Sequence, residues 1–382
     1  MSQSAETPTA HHALATRLVF LATGLTMGAW GPLVPFARAN LRLDEAALGS
    51  LLLCLGLGSV IAMPFSGTLA ARYGPQRVIL VAGAFPLLTL PIMAAAPSVP
   101  LTAVALALFG AGAGTVDVVM NIQATIVERA SGRVMMSGFH GMFSVGGLVG
   151  AGAVTGLLSL GVLPLATGLL VVAAAFALAI AFRSGLLQRG GAAEGPPFVI
   201  PRGVVIVIGL LCAVLFSTEG AVADWSGIFL NAERGLALDR TGIGYVAFAA
   251  AMTLGRFTGD AIVRLVGPRR TLFGGAILSA FGLAVAIFTP HVIGGVLGFA
   301  LVGAGASNSV PVLFSAAGRQ GVMPPNLAIA AATTMGYAGL LAGPAVIGYV
   351  ARATTLPIAL GGIAVLLVVV ALVGPLTVAD DR

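Results

Sequence analysis

A handful of ionisable and amide side chains stand inside long apolar runs of this sequence, where each needs a reason to be. A charge at the centre of a bilayer costs about 2.5 kcal/mol or more, so it must be paired, protonated or turned toward water. Asp117 and Asn121 are four residues apart, one helical turn on one face, beside Gly110, Ala113 and Gly114. A carboxylate and an amide on such a stripe suit a solute or a proton; the alternative is interhelical glue, for which Asn would serve without the cost of Asp. Glu219 lies near the middle of another run with no opposite charge one turn away, and is expected to take up and release a proton as water access alternates. Asp224 is five residues on, about 140° around an ideal helix, so the two carboxyls form no dyad. With Trp225 it falls near the outer mouth of the run, where Trp often marks the membrane interface, and gating or structure suits Asp224 as well as solute contact. Arg256 and Asp260, four apart, can neutralise one another as a structural pair or gate. His140 is either a hydrated cap or a coupling group, and Asn308 and Trp30 read equally as ligand contacts and as packing.

These residues are exceptions in a chain of 382 that is 58% hydrophobic and only 8% charged. A soluble domain carries about 25% charged residues, so the composition excludes a water-soluble globule. All 19 basic residues are Arg, against 13 acids, for a net charge of +6. They are scattered between apolar blocks instead of clustering on a face, which argues against a nucleic-acid partner. Cys54 and Cys212 have no metal-ligand spacing and read as small apolar side chains; His11 and His12, in a polar tail, read as solvated. The run from Gly110 to Gly114 lacks the preceding strand and the Lys-Ser/Thr ending of a phosphate loop, and neither H-E-x-x-H nor G-x-S-x-G occurs. An enzyme is therefore not expected, nor any metal or cofactor, with a proton as the coupling ion.

A helix crosses the hydrocarbon with about 20 apolar residues. Apolar runs ended by charge, Pro or polar clusters place twelve spans at 14–38, 47–70, 77–95, 101–127, 137–160, 162–182, 204–230, 240–264, 270–289, 292–316, 326–350 and 354–377. The first 13 residues carry no Lys or Arg and do not resemble the basic start of a cleavable signal peptide. With the N-terminus inside, thirteen Arg fall on cytoplasmic segments. Only Arg38, Arg42, Arg234, Arg240 and Arg352 fall outside, a bias that places both termini in the cytoplasm.

The longest polar interruption separates six spans from six. The expected organisation is a tail at 1–13, a bundle at 14–182, a linker at 183–203, a second bundle at 204–377 and a tail at 378–382. The halves repeat. Trp30, Asp44 and Gly49 recur 195 residues later as Trp225, Asp239 and Gly244, and Gly74-Pro75-Gln76-Arg77 recurs 193 later as Gly267-Pro268-Arg269-Arg270. The same 193 carries Gly110 and Gly112 onto Gly303 and Gly305, and Met142, Gly146 and Gly150 onto Met335, Gly339 and Gly343. An even number of spans per half makes the repeats parallel, the plan of a rocking secondary transporter with its site near the midplane. G-x-x-x-G spacings at 110/114, 146/150, 152/156, 255/259 and 339/343 read as close helix approaches.

The segment Gly67-Thr-Leu-Ala-Ala-Arg72-Tyr-Gly74-Pro-Gln-Arg77 resembles the loop signature of the major facilitator superfamily, and its second copy ends at Gly267 and Arg270. The resemblance implies an all-α membrane protein of twelve helices in two parallel, pseudo-symmetric six-helix bundles, with spans 1 and 10 lining a central cavity. The family's usual acid in this loop is replaced by Ala71 and, in the second copy, by Arg264, which argues against the usual ion pair there. Asp117-x3-Asn121-x-Gln123, Ser137-Gly-Phe-His140 and Glu219-x4-Asp224-Trp225 resemble a bacterial inner-membrane branch near the fucose-permease-like group. The expected function is a proton-coupled carrier of a small polar solute, acting as a monomer in the inner membrane. Its alternatives are a proton-independent facilitator, a drug or metabolite exporter, and a receptor on a carrier scaffold. An exporter would commonly show a Gly-Pro motif where this chain has Gly146 to Gly150 without Pro.

Overall fold

The computed structural model describes residues 10–131, 135–188 and 200–378, without the side chains at 129, 136, 137, 260, 325 and 326. Most of both expected tails and the middle of the expected linker, 189–199, lie outside the described residues. Every regular element among the described residues is helical. The first half runs through α1 (Ala10–Trp30), α2 (Val34–Leu41), α3 (Glu45–Tyr73), α4 (Pro75–Ala95), α5 (Val99–Ser131), α6 (Met136–Ser159) and α7 (Pro164–Phe182). The second runs through α8 (Val204–Arg234), α9 (Ile243–Val266), α10 (Pro268–Phe288), α11 (Val292–Ala306), α12 (Ser309–Arg319), α13 (Pro325–Ala353) and α14 (Leu356–Thr377).

Two of the twelve expected spans are not single helices. In the first, a 3-10 turn at Gly31–Leu33 divides α1 from α2, where Pro32 and Pro35 remove backbone donors. In the tenth, Ser307 and Asn308 part α11 from α12. Pro311 explains this break, because its ring has no N–H to offer the carbonyl of Ser307, four residues earlier. Among the described residues, eleven helical segments are long and apolar enough to cross a membrane. The remaining expected span, the eighth, is α9, whose 24 residues are long enough but include Arg256, Asp260 and Arg264.

The chain forms two compact units, one of Met1–Leu41 with Cys54–Gly195, the other of Arg42–Leu53 with Pro196–Arg382. Within the first, α1 packs on α6 and α7, and α4 on α5 and α7. Phe20 stacks on Phe139 at 5.8 Å between ring centroids, in a core shared with Val119 and Met120. Gln123 is buried there and bridges chain segments: its amide donates to Thr16 Oγ1 at 3.0 Å and its carbonyl accepts from the Leu187 N–H at 3.2 Å. Within the second unit, α8 packs on α13, α9 and α10 on α11, and α10 also on α14. The start of α3 belongs here: Asp44 caps it by accepting from Ala47 N–H at 2.7 Å, pairs with Arg352 at 3.5 Å, and Ser50 meets the Tyr349 hydroxyl at 2.8 Å.

The internal repeat reappears as repeated contacts. A Cβ on Gly110 would overlap the carbonyl oxygen of Leu55, and one on Gly303 would overlap that of Phe248. Gly112 lies in the same way on the Ala82 carbonyl and Gly305 on that of Gly275. Each partner is displaced by the 193 residues that displace the glycines. Gly146 against Leu21 and Gly339 against Ala213 make a third pair, its partners one residue short of that displacement. Gly74 and Gly267, at the heads of α4 and α10, share φ of 83° and 85°, a left-handed conformation that favours Gly. Of the five G-x-x-x-G spacings, 152/156 makes no close approach, since nothing lies within 4 Å of either added Cβ. Gly255 and Gly259 face side chains of the Ser307–Asn308 break instead of a helix backbone.

Hydroxyls inside the helices are mostly satisfied locally. Thr16, Thr23, Thr26, Thr89 and Thr125 each donate to the carbonyl four residues earlier, so their presence in apolar runs implies no ligand. Arg234 is a staple of a different kind. Its Nη2 donates to the carbonyls of Ala286 and Ile287, both at 2.7 Å, and its guanidinium lies over the Phe229 ring at 4.7 Å. It thereby satisfies carbonyls at the end of α10 that have no partner within the helix. Arg234→Gln is expected to lower stability by about 2–3 kcal/mol, read as a fall in the thermal unfolding midpoint of the purified protein. Arg234→Lys should recover less than half of that loss, because an ammonium cannot reach both carbonyls while stacking on the ring.

Candidate functional site

Glu219 stands halfway along the 31 residues of α8. Its Oε1 lies 3.5 Å from Nη2 of Arg256 on α9, and the two side chains keep 24% and 36% of their surface. This corrects the reading of Glu219 as an isolated acid. Helical periodicity reports neighbours on one helix only, whereas the packing of α8 against α9 brings together residues 37 apart. The side chain of Asp260 lies outside the described residues.

Around this pair the second unit gathers further polar and aromatic groups. Tyr245, on the first turn of α9, is within electrostatic reach of Glu219, Asp224 and Arg256. Asn308, at the break between α11 and α12, donates its amide to the carbonyl of Gly255 at 3.1 Å and to Ser307 Oγ at 3.1 Å. A Cβ on Gly259 would overlap Oδ1 of that same amide. The two glycines thus admit an amide onto the turn that carries Arg256. Phe216, one turn before Glu219 on α8, meets the Tyr337 ring at 5.6 Å and the Phe314 ring at 6.4 Å, both edge to face.

Asp224 is half-buried on α8 and makes no hydrogen bond or ion pair with another described residue. Trp225 does not sit at a lipid interface, as its position in the sequence suggests, but is fully buried. Its indole N–H has no acceptor among the described residues, and neither has that of Trp30, its counterpart in the repeat, which is 5% exposed.

In the first unit, Asp117 is half-buried on α5, and the amide of Asn121 donates to the Asp117 backbone carbonyl at 2.8 Å. The two share a face as their spacing implies, but the amide is turned to the backbone. His140 is exposed on α6 with its ring edge-on to Phe20 at 5.1 Å. Phe20 and Trp30 are ten residues apart on α1, so His140 and Trp30 belong to levels about 15 Å apart. In the loop motif, Gly67 ends no helix but lies within α3, Arg72 lies over the Tyr73 ring at 5.2 Å, and Arg77 and Arg270 are exposed.

Comparison with known proteins settles the family. The profile of the Major Facilitator Superfamily matches residues 18–319. The chain belongs to this superfamily. An uncharacterized MFS-type transporter of Yersinia pestis is 51% identical over 370 residues, 97% of this chain and 96% of that one. An uncharacterized transporter of Sinorhizobium fredii is 32% identical over 343 residues, 88% of this chain and 90% of that one. The membrane protein MosC of Rhizobium meliloti is 30% identical over 349 residues, 88% and 83% of the two chains. Among solved structures, the nucleoside transporter NupG superposes with a TM-score of 0.76 over 94% of this chain and 99% of its own, at 13% identity, a likeness of fold. The chain is thus an MFS transporter and a multi-pass membrane protein.

Within this MFS transporter, the groups that sequence reading missed are Tyr245 and the rings of Phe216, Phe314 and Tyr337. Tyr245 carried a usable signal, being one of only four Tyr in the chain and placed inside a span. Tyr337, inside the span at 326–350, carried the same signal, whereas Phe216 and Phe314 carried none, since Phe is an ordinary residue in apolar runs.

Proposed function

We propose that the protein is a proton-coupled secondary transporter of a small polar solute, working by alternating access as its halves rock. The observation that carries this reading is the Glu219–Arg256 pair. Two opposite charges on different helices, at mid-helix and still partly accessible, form a switchable contact. A proton arriving on Glu219 removes its charge and with it the attraction to Arg256; loss of the proton restores that attraction. Tyr245 and Asn308 supply hydrogen-bonding groups beside the pair, and Asp117 in the first half supplies a further carboxyl for proton or solute. Both termini lie in the cytoplasm of the bacterial inner membrane in this reading, which the arginine bias supports.

The test begins with a thermal-shift screen of the purified protein against metabolites at two pH values, since ligand that binds the native state raises apparent stability. With a hit in hand, liposomes containing the wild type, Asp117→Asn or Glu219→Gln are loaded with a pH-sensitive dye. Solute-dependent proton entry and uphill uptake are expected in the wild type and should be lost in Glu219→Gln. If both variants accumulate solute under a pH gradient as the wild type does, the assignment is wrong. A facilitator would instead exchange solute across the membrane without accumulating it.

A further inference from the structure

The first unit contains an apolar cavity of about 230 Å³ between α1, α4, α5 and α7. Its floor includes Val19, Thr26 and Val116, all buried. Its rim includes Ala84 and Leu87 of α4 and Phe176 of α7, the last 57% exposed. The threonines Thr23 and Thr26 in its wall donate to the carbonyls of Val19 and Ala22, so the lining offers no free hydroxyl proton. Such a space takes a purely hydrocarbon group. The neighbouring positions Val81 and Leu88 on α4 and Ile180 on α7 are exposed apolar residues, so the rim continues into the surface that these spans turn to lipid.

At one end of the rim the chemistry changes sign. Arg77, two residues before the cavity residue Ile79, and Arg183, next to the cavity residue Phe182, are both exposed. They are brought together by Gln76, whose side-chain amide donates to the Arg183 carbonyl at 2.6 Å and whose N–H donates to the Leu187 carbonyl at 2.9 Å. Neither guanidinium has an ion-pair or hydrogen-bond partner among the described residues, and α4 and α7 contain no Asp or Glu. Two guanidinium groups beside a hydrocarbon slot, neither paired with an acid among the described residues, match an anionic phosphate joined to an acyl chain.

We infer that the face between α4 and α7 is a binding site for an anionic phospholipid, with its phosphate on Arg77 and Arg183 and an acyl chain in the cavity. Such a lipid fills a space that would otherwise leave its lining without partner atoms, and ties the head of α4 and the C-terminal end of α7 to the bilayer surface.

The purified full-length protein is challenged with phosphatidylglycerol, with phosphatidylcholine of the same chains, and with glycerol 3-phosphate. Retention is read by native mass spectrometry and stability by the thermal midpoint. Phosphatidylglycerol is expected to be retained more strongly than phosphatidylcholine and to raise the midpoint. Arg77→Gln and Arg183→Gln should each weaken its retention about fivefold, from about 1 kcal/mol per arginine at a lipid surface. Gly83→Leu fills the cavity: a Cβ there meets only Val116, at 3.8 Å, so the larger side chain has room to fold. Its lipid-free midpoint should match the wild type while retention of both lipids falls. A phosphatidylglycerol with a photoreactive acyl chain should label the peptides containing Val19 and Val116, which lipid outside the cavity cannot reach. The inference fails if label appears only on exposed residues such as Leu88 and Phe176, or if the two lipids bind equally and the arginine variants change nothing. It fails equally if glycerol 3-phosphate stabilises as well as the lipid, which would leave an anion site alone.

Discussion

Gly110→Ala is expected to abolish recovery of folded protein, and Gly303→Ala to do the same. In an ordinary helix interior the exchange of Gly for Ala stabilises by about 1 kcal/mol. Here the added methyl would overlap a backbone oxygen, of Leu55 in one half and Phe248 in the other. A side chain could rotate away; a carbonyl held in the hydrogen-bond ladder of a helix cannot. The helices must separate along their shared length, and Ser59 Oγ, which donates to the Gly110 carbonyl at 2.8 Å, would lose its reach as well. Ordinary overpacking costs about 1–3 kcal/mol, and a backbone-to-backbone clash lies above that range. Gly152→Ala and Gly156→Ala are the controls, with open space at both positions; they should leave stability unchanged or slightly raised. The yield of monodisperse protein on size exclusion and its thermal midpoint separate the two classes directly.

Removing the charge from one member of the Glu219–Arg256 pair should destabilise the protein more than removing both. Either Glu219→Gln or Arg256→Gln leaves a charge inside the second unit without the partner that lies 3.5 Å away in the wild type. Breaking a fully buried pair costs about 3–5 kcal/mol; with the accessible surface these groups keep, a loss of about 1–3 kcal/mol is expected for each single variant. The double variant should regain part of it, with a coupling energy of about 0.5–3 kcal/mol from the double-mutant cycle. Additive single effects would show that the two charges do not sense each other. The double variant is also expected to recover folding without recovering proton-driven uptake, which separates the structural from the coupling role.

What could be read from the sequence was what depends on spacing along one chain. Apolar runs and the repeat at 193 residues specify the helices and their duplication, because both are properties of one dimension. The broken tenth span was legible in principle, since Pro311 stands where it must deprive the Ser307 carbonyl of a donor, but the run around it is apolar enough to read as continuous. The candidate site was legible residue by residue and not as an arrangement. Asp117 and Asn121 share a face as their spacing says, yet the orientation of the amide toward backbone depends on rotamers. The Glu219–Arg256 pair depends on which helices become neighbours, and Trp225 was misplaced because aromatic residues at span ends are more often at the lipid interface than within a core.

The repeated glycine contacts have a consequence for the history of this gene. Where Leu55 and Gly110 touch, Phe248 and Gly303 touch; the frame has stayed in step through whatever substitutions followed the duplication. The charges and amides inside the spans have not. At the same offset Arg256 corresponds to Met63 and Asn308 to Thr115, while Asp117 corresponds to Val310 and Asn121 to Phe314. An ancestor made of two identical halves would have carried every polar group twice. Within the spans of the present chain each half has kept a different set, so the halves are alike as architecture and distinct as chemistry. Swapping one for a copy of the other should preserve the helices and forfeit the transport.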